Sequence, residues 1–175
     1  MAFDGQNVWV PFSAGTVTKL RASDGKNLGV FTVGSGAIAA AFDGQNVWIT
    51  SQNTVSKLRA SDGSLLGTFP VGNGAIGIAF DGADMWVANR DDATVTELRA
   101  SDGKVLGTFS APGGPYGVAF DGTYIWLSGD SFTQVLHPKG GALVSQWQIN
   151  STSGIAFDGA HVWISNTNRN GLLKL

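Results

Sequence analysis

The chain has 175 residues and a formal net charge of −2; 43% of its residues are hydrophobic and 14% are charged. This balance suits one folded domain rather than a disordered chain, and the absence of a basic run argues against a nucleic-acid binder. Cysteine is absent, which excludes disulfides, thiolate metal sites and cysteine nucleophiles, and no apolar run is long enough to span a membrane.

One segment recurs five times along the chain: Ala-Phe-Asp-Gly followed, after three residues, by tryptophan. The copies begin at Ala2, Ala41, Ala79, Ala119 and Ala156. A period of about 40 residues indicates a repeat architecture, in which one unit cannot bury its own faces and stacks on the next.

The second copy predicts four short strands in chain order. Residues 38–42 form an apolar run that ends at an Asp-Gly turn, and residues 47–49 are β-branched and aromatic. Over residues 55–60 the side chains alternate between two faces, which predicts a third strand with one face more exposed to solvent than the other. Residues 65–71 predict a fourth strand. The other copies agree, so each period is predicted to be an antiparallel meander with essentially no helix.

The inner strands are apolar on both sides, so each sheet must pack against another sheet on either face. Four-stranded repeats of about 40 residues that pack radially are the blades of a β-propeller. We therefore predict an all-β, single-domain β-propeller of about five four-stranded antiparallel blades, with the last blade incomplete. The predicted blades lie at approximately residues 2–40, 41–78, 79–118, 119–155 and 156–175.

The incomplete fifth copy leaves three arrangements open. The chain fits a five-bladed ring with a three-stranded last blade, a piece of a larger ring, or a ring that closes only by association with another copy. An open strand edge at Leu175 would invite such self-association.

The unit Gly-Ile-Ala-Phe-Asp-Gly…Val-Trp-Val…Asn…Thr-Val-Thr-Lys-Leu-Arg resembles the YVTN- and NHL-type propeller repeats of bacterial proteins, and also those of the streptogramin B lyase family. The resemblance covers nearly the whole chain and implies blade architecture. The lyase resemblance would imply a metal-assisted elimination by His and Glu residues over the central channel. The chain has only His137, His161 and Glu97 of these types. By repeat position neither histidine belongs to that face, so no catalytic residue, metal or cofactor is predicted.

A blade has two ends, and sequence variation separates them. Asp-Gly and Ser-Asp-Gly turns occupy one end almost uniformly, as turn chemistry alone requires. The loops between second and third strands, and those that join blades, occupy the other end and vary. Amides, carboxylates, arginines and an aromatic ring converge there, which predicts a surface for a polar ligand. The candidate ligand-binding residues are Asn89, Arg90, Asp91, Tyr116, Asp130, Asn166, Asn168 and Arg169.

The sequence favours a non-enzymatic binding or interaction module that uses this face around the central channel, with a protein, peptide or carbohydrate ligand. A lyase- or hydrolase-like enzyme at the same face is one alternative, which loss of activity on changing Asp91 or Asp130 would reveal. A minimal, engineered or excised repeat scaffold without activity is another. The N-terminus shows no signal segment, and the compartment stays open: cytoplasmic or, for a fragment, secreted.

Overall fold

The computed structural model describes residues 1–149, 152–168 and 170–175, and within these ranges the chain forms five antiparallel sheets. The first four sheets have four strands each, and the fifth has three. Successive strands are neighbours in every sheet, so each sheet is a meander. The predicted all-β propeller with an incomplete last sheet is confirmed.

The strands follow the chain in order. The first sheet contains β1 (Ala2–Phe3), β2 (Asn7–Phe12), β3 (Thr16–Arg21) and β4 (Asn27–Thr32). The second contains β5 (Ala40–Phe42), β6 (Asn46–Ser51), β7 (Thr54–Arg59) and β8 (Leu65–Pro70). The third contains β9 (Ala75–Phe80), β10 (Asp84–Asn89), β11 (Thr94–Arg99) and β12 (Val105–Ser110). The fourth contains β13 (Pro115–Phe120), β14 (Ile125–Gly129), β15 (Thr133–Leu136) and β16 (Leu143–Trp147), and the fifth contains β17 (Thr152–Phe157), β18 (Val162–Asn166) and β19 (Gly171–Lys174).

The repeated Ala-Phe-Asp-Gly segment sets the first hairpin of each sheet. In the second sheet Ala41 pairs with Trp48 across a turn in which Gly44 has a φ of 96°, a conformation that glycine adopts without steric cost. The same register recurs as Ala2 with Trp9, Ala79 with Trp86, Ala119 with Trp126 and Ala156 with Trp163. The turn therefore fixes which face of each strand carries the tryptophan.

The core lies in layers between neighbouring sheets. Trp9 of the first sheet is fully buried against Val47 and Ile49 of the second. A tryptophan and an outer-strand aromatic ring fill each layer: Trp9 with Phe31 (centroids 5.6 Å apart), Trp48 with Phe69 (5.5 Å), Trp86 with Phe109 (5.8 Å) and Trp126 with Trp147 (5.8 Å). Burial of each of the fully enclosed tryptophans Trp9, Trp48 and Trp86 stabilises the fold by roughly 2 kcal/mol or more.

The first strands of successive sheets contact one another, so the sheets fan outward from them. The close approach explains why these strands are rich in alanine and glycine. Gly77 of β9 is one case, because a Cβ there would clash with the carbonyl oxygen of Tyr116 on β13. Larger side chains would push neighbouring sheets apart at the axis.

The third strands do not have the one solvent-exposed face that the sequence predicts. In β7, Ser56 and Lys57 are both buried. The Lys57 Nζ donates hydrogen bonds to the carbonyl oxygens of Ala100 (2.7 Å) and Ser101 (3.2 Å) in the third sheet. The expectation was wrong because both faces of an interior sheet are covered, and a polar side chain there finds its partner across the sheet interface.

Candidate functional site

At the end of the sheets that carries the Asp-Gly turns, the carboxylates are engaged by their own turns. Asp43 accepts hydrogen bonds from two backbone N–H groups of its turn, at 2.8 and 2.6 Å, and from the Trp48 Nε1 at 2.7 Å. Burial raises the pKa of Asp43, but these hydrogen bonds outweigh it and leave the pKa below its usual range. The indole bond recurs from Trp9 to Asp4, Trp86 to Asp81, Trp126 to Asp121 and Trp163 to Asp158.

The loops between second and third strands, together with the segments that join sheets, form the opposite end, which we call the variable-loop face. Backbone hydrogen bonds tie the two kinds of loop together. The Ala75 N–H donates to the Gln52 carbonyl (2.9 Å), and the Arg90 N–H donates to the Gly74 carbonyl (2.9 Å). Side chains of neighbouring sheets therefore meet on this face.

Asn89, the first candidate in the chain, lies beneath this face rather than on it. Its side chain is fully buried, and its Nδ2 donates to the hydroxyl oxygens of Thr94 (3.0 Å) and Thr96 (2.8 Å) on the neighbouring strand. Its Oδ1 is buried and has no hydrogen-bond partner in the described part of the chain. Asn89 thus holds the base of the loop that carries Arg90.

Three other candidates meet in one cluster between the third and fourth sheets. The Arg90 Nη2 lies 3.1 Å from the Asp130 Oδ2, and the Arg90 guanidinium lies 4.6 Å from the centroid of the Tyr116 ring. The hydrogen bond to Asp130 and the charge around it raise the pKa of Arg90, which stays cationic. Because the cluster is about half exposed, the ion pair adds little stability but orients the arginine.

A cavity of about 430 Å³ opens on the variable-loop face between the second and third sheets. Its lining combines amide, charged and aliphatic groups, from Ile38, Gln52, Asn53, Asn73, Gly74, Ala75, Ile76, Arg90 and Asp91. Within the described residues, the side chains of Gln52, Asn53 and Asp91 make no hydrogen bond or ion pair. This contrasts with the opposite end, where the turns engage the carboxylates.

The fifth-sheet candidates are placed apart from this cavity. Asn166 is buried at the end of β18, whereas Asn168 is exposed in the following loop. Arg169 lies outside the described residues. No hydrogen bond, ion pair or ring contact joins Asn168 to Arg90 among the residues that the structure describes.

Gln52 and Asn53 were not among the predicted site residues, although they line the cavity. A signal was available: they occupy the same loop of the second sheet that Arg90 and Asp91 occupy in the third. In a repeat fold, equivalent loops of adjacent units are neighbours, so side chains one period apart are expected to face one site.

Glu97 is an isolated buried carboxylate at the interface of the third and fourth sheets. It stands on β11 where β7 has Lys57, and it accepts a hydrogen bond from the Gly140 N–H. Burial, together with the negative charges of Asp84 and Asp81, raises the pKa of Glu97 to about 7. Its side chain is only 5% exposed.

The described residues contain no group of three or more His, Asp or Glu side chains arranged to hold a metal ion. Nor does any helix in the described ranges have the length and apolar character needed to cross a membrane.

The five sheets define the class of the fold as a β-propeller. No family model matches the sequence, and no curated protein is similar to it. Among solved structures, a chain of hydrazine synthase from Kuenenia stuttgartiensis is similar in fold, with a TM-score of 0.81 and 19% sequence identity over 94% of this chain. The match covers 53% of that chain, so this chain spans about half its length. At this identity the similarity shows the fold alone, and the resemblance to YVTN- and NHL-type repeats stays a prediction.

Proposed function

We propose that this chain is a non-enzymatic binding module that takes up its ligand on the variable-loop face. The observation that carries this proposal is the cavity between the second and third sheets, where the polar side chains of Gln52, Asn53 and Asp91 make no hydrogen bond or ion pair with a described residue. Polar groups that converge on a pocket and are not used by the fold are the usual way in which a site orients a ligand.

The experiment compares matched glutamine variants on the two faces. An array of unrelated peptides and oligosaccharides is probed with the labelled wild-type chain, with Gln52→Ala and with Gln45→Ala. Gln45 is an exposed glutamine of an Asp-Gly turn, so it controls for loss of an amide on the other face. We expect array ligands whose binding weakens at least about five-fold in Gln52→Ala and is unchanged in Gln45→Ala.

Two results would contradict the proposal. One is an array on which nothing binds saturably. The other is binding that Gln52→Ala leaves intact and Gln45→Ala removes, which would move the site to the turn end.

We also propose self-association through the fifth sheet. In the described structure β19 pairs only with β18, and Leu172 on β19 is 67% exposed. The Lys174 Nζ lies over the Trp163 ring at 5.5 Å, as Lys57 lies over Trp48 at 4.9 Å in an interior sheet. The fifth sheet thus presents the same kind of surface that interior sheets bury.

Light scattering on a sizing column tests this second proposal. We expect the wild-type chain to elute as a discrete assembly and Leu172→Glu to elute near 18.2 kDa, the mass of one chain. A wild-type chain that stays at the single-chain mass at all concentrations would exclude self-association.

A further inference from the structure

The cavity on the variable-loop face carries one carboxylate, that of Asp91, that makes no hydrogen bond or ion pair within the described residues, although the nearby positive charge of Arg90 acts on it. Arg90, which also lines the cavity, pairs with Asp130 at 3.1 Å and covers the ring of Tyr116. Asp92 accepts hydrogen bonds from the Asn73 N–H (2.8 Å) and Nδ2 (3.0 Å). Asp91 alone of these charged side chains makes neither a hydrogen bond nor an ion pair with a described residue.

The position of Asp91 is set by its neighbours. Its backbone N–H donates to the Asn73 carbonyl at 3.2 Å. Its carboxyl group packs on the backbone of Gly74, where an added Cβ would stand 2.6 Å from the Asp91 Cγ. Glycine at position 74 therefore makes room for the carboxylate at the cavity wall.

The remaining lining favours a peptide over a carbohydrate. None of the nine residues that line the cavity is aromatic, and the Tyr116 ring nearby is already covered by Arg90. A sugar therefore lacks an open ring to stack on. The amides of Gln52 and Asn53 donate and accept at once, which matches the alternating N–H and C=O groups of an extended backbone.

An aliphatic contact completes the surface. Ile38 stands at the rim of the cavity and is 52% exposed, and Ile76 lies half-buried in the wall. Together they offer a small apolar patch beside the polar groups. A cavity of about 430 Å³ falls within the range of ligand pockets and accommodates a few residues of a peptide.

We infer that the variable-loop cavity binds an extended peptide segment that places a lysine or arginine side chain against Asp91, an inference that rests on the binding function proposed above. The peptide backbone lies along Gln52 and Asn53, and a neighbouring aliphatic side chain of the peptide contacts Ile38. The positive charge of the peptide meets the Asp91 carboxylate, which makes no hydrogen bond or ion pair with a described residue, so charge complementarity selects the basic residue.

The test uses three end-blocked tripeptides that differ only at the central residue: Leu-Lys-Ala, Leu-Gln-Ala and Leu-Glu-Ala. Each is titrated into the isotope-labelled chain, and the backbone amide resonances of the variable-loop face are followed by NMR. We expect the lysine peptide to bind about ten-fold or more tightly than the glutamate peptide, with a preference that weakens as salt is added.

Two variants distinguish a specific contact between the peptide and Asp91 from a general effect of the negative charge on this face. Asp91→Asn and Asp92→Asn remove the same charge from adjacent positions of one loop. We expect Asp91→Asn to reduce affinity for the lysine peptide about ten-fold and to remove the preference for lysine over glutamine, whereas Asp92→Asn retains the preference.

The outcomes distinguish this inference from the function on which it rests. Equal binding of the three peptides, or equal losses in the two variants, would overturn the basic-peptide inference. Array ligands that are carbohydrates or acidic peptides, and that shift the resonances of this face, would also overturn the basic-peptide inference. In that case the binding function would stand. If no peptide and no array ligand shifts those resonances, the binding function itself falls.

Discussion

The Nε1 of Trp48 donates a hydrogen bond of 2.7 Å to the carboxylate of Asp43, which also accepts two backbone N–H groups of its own turn. One carboxylate therefore closes the hairpin and anchors the fully buried indole that fills the layer between the second and third sheets. The repeated Asp and Trp form one structural unit, and this unit explains why the turn end of the chain is uniform.

Replacing Asp43 by alanine is expected to lower the free energy of unfolding by about 2–4 kcal/mol, because it removes the hydrogen bonds that two backbone N–H groups, the Asn46 amide and the Trp48 indole donate to the carboxylate, and leaves a buried indole N–H unpaired. Urea denaturation followed by tryptophan fluorescence measures the change. Asp62→Ala is the matched control, since that aspartate is exposed and pairs with Arg59 on the surface at 2.9 Å. The control should lose clearly less stability, and equal losses would mean that the indole bond contributes nothing.

Lys57→Met tests whether the buried ammonium links the second and third sheets. Methionine keeps the aliphatic stem but leaves the carbonyl oxygens of Ala100 and Ser101 without the donor seen at 2.7 and 3.2 Å. We expect a loss of about 2–3 kcal/mol in the free energy of unfolding, measured by urea denaturation, and almost none for the exposed Lys26→Met. An unchanged or raised stability would show that desolvation of the ammonium costs as much as its hydrogen bonds contribute.

The sequence predicts the fold of this chain better than it predicts the contacts of the candidate site. The period of the Ala-Phe-Asp-Gly…Trp segment predicts the sheets and the buried tryptophans because those features repeat within one unit. Burial of Lys57 was not predictable from strand alternation, since its partners lie on another sheet. The Arg90–Asp130 ion pair was not predictable from strand alternation either, because it joins residues 40 positions apart. That spacing is one period, so opposite charges in equivalent loops would have been the signal.

Titration of Glu97 makes the free energy of unfolding fall as the pH rises. Its pKa is raised from 4.5 to about 7 by burial and by the nearby Asp84 and Asp81, so the folded state holds the proton more tightly than the unfolded state. Its contribution to stability is therefore fully present below pH 4.5 and is lost as the pH rises through about 7.

We expect Glu97→Gln to be more stable than the wild-type chain at pH 8, by up to about 3 kcal/mol, and to lose the decline between pH 5 and pH 8. Urea denaturation at a series of pH values measures this. Glu97 is the only glutamate in the chain, so a decline that persists in the variant would have to come from other groups and would contradict the assignment.

Gly74→Ala tests whether the backbone of the segment that joins the second and third sheets positions the Asp91 carboxylate at the cavity. Gly74 has a φ of 68°, and its added Cβ would meet the Asp91 carboxyl carbon at 2.6 Å. Gly82→Ala is the matched control, because Gly82 has a φ of 100° and nothing lies within 4 Å of its added Cβ.

Both glycine variants should lose about 1–2 kcal/mol to backbone strain in urea denaturation, and Gly74→Ala should lose more because of the added contact. Only Gly74→Ala should also weaken the lysine tripeptide, because it displaces the carboxylate of Asp91. If both variants lose the same stability and bind the peptide equally well, the carboxylate moves freely, and glycine at position 74 serves the turn alone.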